Sequence, residues 1–165
     1  MFLNFKITNY RSIGKELTID FRIRDSQKLG AFAEINDKVI NNIACLVGPN
    51  ASGKSNILKG FVHFLRSTHK SYSTPSYRYK GSFATHFCYN GSPTTFSTEF
   101  IDNETQYKYE ISILDGIIQN EILQKLNETT QRYSHLFNQE NNRDLKFNET
   151  IKINKQDLSR LRNCK

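Results

Sequence analysis

The chain lacks tryptophan, has only three cysteines, and contains no long apolar stretch. Its longest apolar runs reach about five residues, against the roughly 20 that a membrane-spanning helix needs, so no span is predicted and no membrane partner is expected. The opening residues, Met1 to Thr8, place a polar side chain at every second position, which reads as a strand and not as the apolar core of a signal peptide. Cysteines at 45, 88 and 164 form an odd set without C-x-x-C spacing. That argues against a disulfide scaffold or a zinc site and fits a reducing, cytoplasmic location. The histidines at 63, 69, 86 and 135 show no metal-ligand spacing either, and packing roles are expected for them. No heptad pattern or internal repeat is present.

What is present is β-rich. Twelve Phe and eight Tyr suit strand packing. Leu3, Phe5 and Ile7 alternate with Asn4, Lys6 and Thr8, and Leu17, Ile19, Phe21 and Ile23 alternate with Thr18, Asp20 and Arg22. Two half-buried strands are therefore predicted, paired antiparallel across Ile13-Gly14-Lys15. Residues 25–41 read as polar and irregular, with a short helical turn near Leu29 to Phe32. Ile43-Ala44-Cys45-Leu46-Val47 is apolar at consecutive positions, the pattern of a strand covered on both faces at the centre of a parallel sheet, with Cys45 as a small buried residue. A helix follows from Lys54 to about Thr68, with Ile57, Leu58, Phe61, Val62, Phe64 and Leu65 as one broad apolar stripe. Gly60 inside that helix implies either a close backbone contact or a slightly weakened helix. After a Ser/Tyr/Lys-rich loop containing Pro75, strands are predicted at 83–89, 95–101, 106–114 and within 117–123, with weaker ones near 131–137 and 144–153. Asn90-Gly91 and Asp115-Gly116 are hairpin signals, and Asp157 to Arg162 read as the start of a helix.

Between the apolar run and the helix stands Gly48-Pro49-Asn50-Ala51-Ser52-Gly53-Lys54-Ser55, a full match to the phosphate-loop pattern G-x-x-x-x-G-K-[S/T]. Each residue type has a physical task. Gly48 and Gly53 let the backbone curl until successive N–H groups face the β- and γ-phosphates. Lys54 adds a mobile positive charge, and Ser55 offers a hydroxyl to Mg²⁺, which prefers oxygen ligands. The helix N-terminus contributes about half a positive charge at the same place. ATP or GTP binding follows as the expectation. ATP is favoured because no N-K-x-D guanine-reading motif is present, and a small GTPase or kinase is a weaker reading.

Lys and Arg exceed Asp and Glu by 23 to 16, a net charge of +7. The surplus suits polyanions, the nucleotide first and nucleic acid second, but no basic block appears and a solvated surface explains the scatter. A hydrolase of this class also needs an apolar strand ending in an acidic metal ligand. The one candidate is Ile111 to Asp115, and Asp115-Gly116 is better explained as a turn.

The strand ending in Asn9-Tyr10-Arg11-Ser12, the second strand Leu17-Thr18-Ile19-Asp20-Phe21, and G-P-N-A-S-G-K-S-N-I-L-K together resemble the N-terminal part of ABC-type ATPases of the RecF/SMC-like class. More closely, the chain resembles bacterial AAA-family ATP-binding proteins that share this head and often serve in phage defence or abortive infection. The resemblance implies an α/β phosphate-loop NTPase lobe, ABC-ATPase-like, carrying an antiparallel β-subdomain. It divides the chain into a nucleotide-binding core lobe at 1–70, a loop at 71–82, a β-rich subdomain at 83–153 and the beginning of a helical segment at 154–165. By the same resemblance, Asn50 to Ser55 would wrap the phosphates of ATP with Mg²⁺ on Ser55, and Asn56 would begin the helix beside the site. Arg11 and Ser12 would approach the nucleotide from the adenine or γ-phosphate side. Gln119 or Gln124 would be the glutamine that links the β-subdomain to the γ-phosphate.

Such heads take their acidic strand, signature motif and switch histidine from a C-terminal half, and none of these is found in the 165 residues. The chain is therefore expected to be an incomplete N-terminal lobe that associates as a homodimer or with a C-terminal half or partner subunit. A non-enzymatic interaction module, with nucleotide structural or absent, is the alternative.

Overall fold

Strict alternation in the first residues makes β1 (Phe2–Thr8), and the second alternating run makes β2 (Leu17–Asp20). They pair antiparallel with Phe5 opposite Ile19 and Ile7 opposite Leu17. In this computed structural model, which describes residues 1–23, 32–70, 84–140 and 144–148, the other edge of β1 pairs with β5 (Thr94–Asp102). From there the chain meanders through β6 (Thr105–Leu114), β7 (Ile117–Asn127), β8 (Arg132–Glu140) and β9 (Asp144–Phe147). The result is one seven-stranded sheet in the order β2-β1-β5-β6-β7-β8-β9, with every pairing antiparallel. The β5–β6 and β6–β7 hairpins turn on Asn103-Glu104 (φ 45° and 65°) and Asp115-Gly116 (φ 52° and 76°), the left-handed pairs that match strand twist.

Helix α1 (Lys54–Lys70) lies on one face of this sheet. Phe5, Phe64 and Phe96 form the middle of the core, with Phe61 edge-on to Phe5 at 4.9 Å and Tyr109 at 5.8 Å from Phe64. Each such ring pair adds about 0.5–1.5 kcal/mol beyond the area it buries. Gly60 is what lets α1 sit so low. A Cβ there would lie 2.3 Å from Ile7 Cδ1, so the close contact implied by that glycine is made against β1.

Several expectations need correcting. Residues 43–47 form no strand, and Cys45 is exposed and not buried. Ile43 is 73% and Val47 89% exposed, because no described neighbour offers a hydrogen-bonding edge to them. The helix stripe is split: Ile57, Phe61 and Phe64 pack on the sheet, whereas Leu58, Val62 and Leu65 are exposed. Residues expected to be irregular form a hairpin instead, β3 (Phe32–Ile35) with β4 (Lys38–Asn41). Ile40 of that hairpin joins Leu3 and Ile101 in a second, smaller core. Of the helical turn expected near Leu29 to Phe32, Phe32 belongs to β3, and residues 29–31 lie outside the described residues.

The run 84–89 is not a strand; Phe87–Tyr89 form a 3-10 turn. Asn90-Gly91 closes a turn of the type II kind (Asn90 φ −60°, ψ 133°; Gly91 φ 88°), not a hairpin. The expected loop at 71–82, the end of the last strand and the helix at 157–162 also lie outside the described residues. No helix among the described residues is long and apolar enough to cross a membrane.

Candidate nucleotide site

The loop Gly48–Ser55 stands at the N-terminus of α1, largely exposed. Its curl is made by two left-handed residues, Ala51 (φ 63°) and Gly53 (φ 91°). The carbonyl of Gly53 then accepts from the N–H groups of Asn56 and Ile57 at 2.9 and 3.1 Å, which starts the helix. With no acidic residue in its first turn, α1 leaves its positive end uncompensated.

Lys54 folds back over the loop. Its Nζ donates to the carbonyls of Gly48 and Pro49, both at 2.6 Å, and to Ser52 Oγ at 3.3 Å. Those three bonds use every donor an ammonium has. They are solvent-exposed, so exchanging them for phosphate oxygens costs little. The donor set fits a triphosphate and its Mg²⁺: curled backbone amides at a helix start, an ammonium already inside the loop, and the exposed hydroxyl-bearing Ser55 next to it.

Of the two residues expected to approach from β1, the structure brings Ser12 to the loop and turns the Arg11 side chain elsewhere. Ser12 Oγ accepts from Asn56 Nδ2 at 2.8 Å and lies 3.2 Å from where a Cβ on Gly53 would stand. Arg11 donates from Nε to Tyr10 Oη at 3.1 Å and places its guanidinium 5.5 Å from the Tyr10 ring centre. Tyr10 Oη lies 3.2 Å from His63 Nδ1. The one phenol oxygen is thus within hydrogen-bond distance of both Arg11 Nε and His63 Nδ1. Burial, with Arg11 and Arg66 nearby, holds the His63 pKa below the ordinary histidine value.

The remaining candidates are engaged locally. Gln119 Nε2 approaches Ile117 O at 3.5 Å, and Gln124 Nε2 lies 3.4 Å from His135 Nε2. Asp115 is exposed in the β6–β7 turn. No group of three or more His, Cys, Asp or Glu able to hold a metal occurs among the described residues. A cavity of about 340 Å³ opens between α1 and the sheet, lined by Phe2, Phe64, Phe100, Leu123 and the buried Glu121, but by no loop residue.

Sequence reasoning missed Asn9. This buried side chain accepts from His86 N–H at 2.9 Å and donates to the carbonyls of Tyr89, Ser92 and Pro93 at 3.1, 2.8 and 3.3 Å. The available signal was an asparagine directly after an alternating run, since asparagine is the residue that best tolerates the left-handed backbone it adopts here (φ 53°).

A family model described as "AAA domain, putative AbiEii toxin, Type IV TA system" matches residues 43–162, well over half of the chain. The match begins in the apolar run that leads into the loop and takes in α1 and β5 to β9. No curated protein matches the chain.

Proposed function

The chain belongs to this AAA-domain family, and from that premise we propose that it binds ATP with Mg²⁺ through Gly48–Ser55. In this reading it is the N-terminal lobe of an ABC-type, RecF/SMC-like ATPase whose hydrolysis depends on elements outside these residues. The observation that carries the proposal is the loop itself: left-handed Ala51 and Gly53, the helix start behind them, and Lys54 held inside the curl by Gly48 and Pro49. Lys54 binds the β- and γ-phosphate oxygens, Ser55 the metal, and Asn50 to Gly53 supply main-chain amides. Ser12 braces the loop through Asn56. Bound Mg²⁺ supplies charge neutralisation across the phosphates.

Support for an external complement comes from the apolar side chains left bare around the loop. Ile43 and Val47 before it, and Leu58, Val62 and Leu65 along α1, are all exposed. Five large apolar side chains exposed on the loop's lead-in and on one helix are what an association surface would use. Their exposure favours a homodimer or a separate C-terminal half as partner. It also favours a second reading, a non-enzymatic interaction module in which this surface is the working part. A role in phage defence and binding to nucleic acid extend the proposal on resemblance and charge alone.

The test is fluorescent-ATP binding to the wild type and to Lys54→Ala. Losing hydrogen bonds to a charged phosphate at 1.5–3 kcal/mol should weaken binding about tenfold or more. Equal affinity in the two proteins defeats the proposal. ATP binding that is absent in both, with association intact, favours the interaction module.

A further inference from the structure

We propose that His86 and Phe87 form the stacking platform for the base of the nucleotide whose phosphates Gly48–Ser55 hold; this rests on the phosphate-loop reading above. Phe87 is 83% exposed, yet it is not a loose surface residue. Its ring lies face to face with the His86 imidazole at 4.5 Å and 29°. Behind them, Tyr89 N–H bonds to His86 O at 2.9 Å, and Cys88 N–H bonds to His86 Nδ1 at 3.2 Å.

This aromatic turn is bolted to the same Asn9–Gly14 segment that touches the phosphate loop. Asn9 holds His86 N–H and the carbonyls of Tyr89, Ser92 and Pro93. Arg11 N–H bonds to Ala84 O at 2.7 Å. Gly14 is closed over by the turn: a Cβ there would lie 2.7 Å from Tyr89 Cε2 and 3.5 Å from His86 Cε1. Ser12, two residues before Gly14, lies against Gly53 and Asn56. Two residues of chain span at most about 7 Å. Phosphate cradle and aromatic pair are thus joined on the scale that one nucleotide bridges between its phosphates and its base. A solvent-exposed π-face stacked on a residue within that reach suits a purine or pyrimidine ring, because every base presents a π-face to stack.

The chain contains no tryptophan, so Phe87→Trp introduces a single reporter in a largely exposed position. With Mg²⁺ present, ATP is expected to quench that fluorescence and inorganic tripolyphosphate to leave it unchanged. In calorimetric titrations, Phe87→Ala should weaken ATP binding by about five- to a hundredfold while tripolyphosphate affinity stays within twofold of wild type. Phe87→Tyr should keep the wild-type ratio between the two ligands. A ratio that Phe87→Ala leaves unchanged, in a protein that still loses both ligands on Lys54→Ala, overturns the platform and leaves the loop reading standing. A wild type that binds neither ligand overturns both.

Discussion

Replacing Gly60 by alanine sets two effects of known sign against each other. Alanine in a helix interior is favoured over glycine by about 1 kcal/mol. The added methyl, however, would stand 2.3 Å from Ile7 Cδ1 and 3.4 Å from Tyr10 Cδ1, both side chains being fully buried. Carbon atoms pack best at about 3.5–4.0 Å, so the overlap exceeds an ångström and the overpacking cost falls near the upper end of its usual range of about 1–3 kcal/mol. The net expectation is a loss of about 2 kcal/mol. Ile7→Val removes the offending Cδ1 at a cost of about 0.5–1.5 kcal/mol on its own. Combined with Gly60→Ala, it gives the new methyl a vacated space. The double variant should therefore be more stable than Gly60→Ala alone, with a favourable coupling of about 3 kcal/mol, the size of the relieved overpacking. Urea unfolding of all four proteins measures this as midpoint shifts at constant slope. If Gly60→Ala raises stability by about 1 kcal/mol and shows no coupling to Ile7, the helix does not sit on β1 as described.

Two further outcomes concern buried polar groups. Burial pushes the Glu121 carboxyl above its ordinary value, only partly offset by the 2.5 Å hydrogen bond it accepts from Tyr109 Oη. The folded chain thus keeps a proton that the unfolded chain has lost, in a window opening upward from the usual glutamate pKa of about 4.3. Stability is full below that window and declines as pH rises through the raised folded value. Thermal melts of Glu121→Gln across pH 4–8 should lack this decline, and parallel curves for the two proteins would refute it. Asn9→Ala leaves His86 N–H without its acceptor and strips three carbonyls of a donor, on a left-handed backbone that alanine tolerates poorly. A loss of about 3 kcal/mol is expected in urea unfolding, and a loss under 1 kcal/mol would contradict the bracket.

Patterns whose cause is local were legible in the sequence. The alternation in β1, β2 and β5 to β7 reports one buried face, and that face is where α1 packs. Gly60 signalled close approach, and Asp115-Gly116 signalled a hairpin, for reasons carried by those residues alone. Where the outcome depends on a distant neighbour, the pattern misled. The apolar run at 43–47 becomes a buried strand only when other strands flank it, and among the described residues none does. The alternation at 83–89 lost to Asn9, which captures backbone groups that a strand would have used. The β3–β4 hairpin turns on Asn36-Asp37, left-handed at φ 49° and 58° but without the glycine that usually marks such a turn. At the candidate site, the pattern placed a glycine-containing loop directly before a helix, and the loop does stand at the start of α1 with Gly53 left-handed. The placing of Ser12 against Asn56, and of Arg11 against Tyr10, depended on tertiary contacts that spacing does not encode.

The most direct test follows the backbone amides of Gly48, Gly53 and Lys54 by NMR as Mg²⁺ and ATP are added. Binding through the loop should shift these three resonances together, with the Lys54 ammonium released from Gly48 and Pro49. Amides of β7 and β8 should hold still. Unmoved loop resonances at saturating nucleotide would contradict the assignment of this loop as the phosphate site.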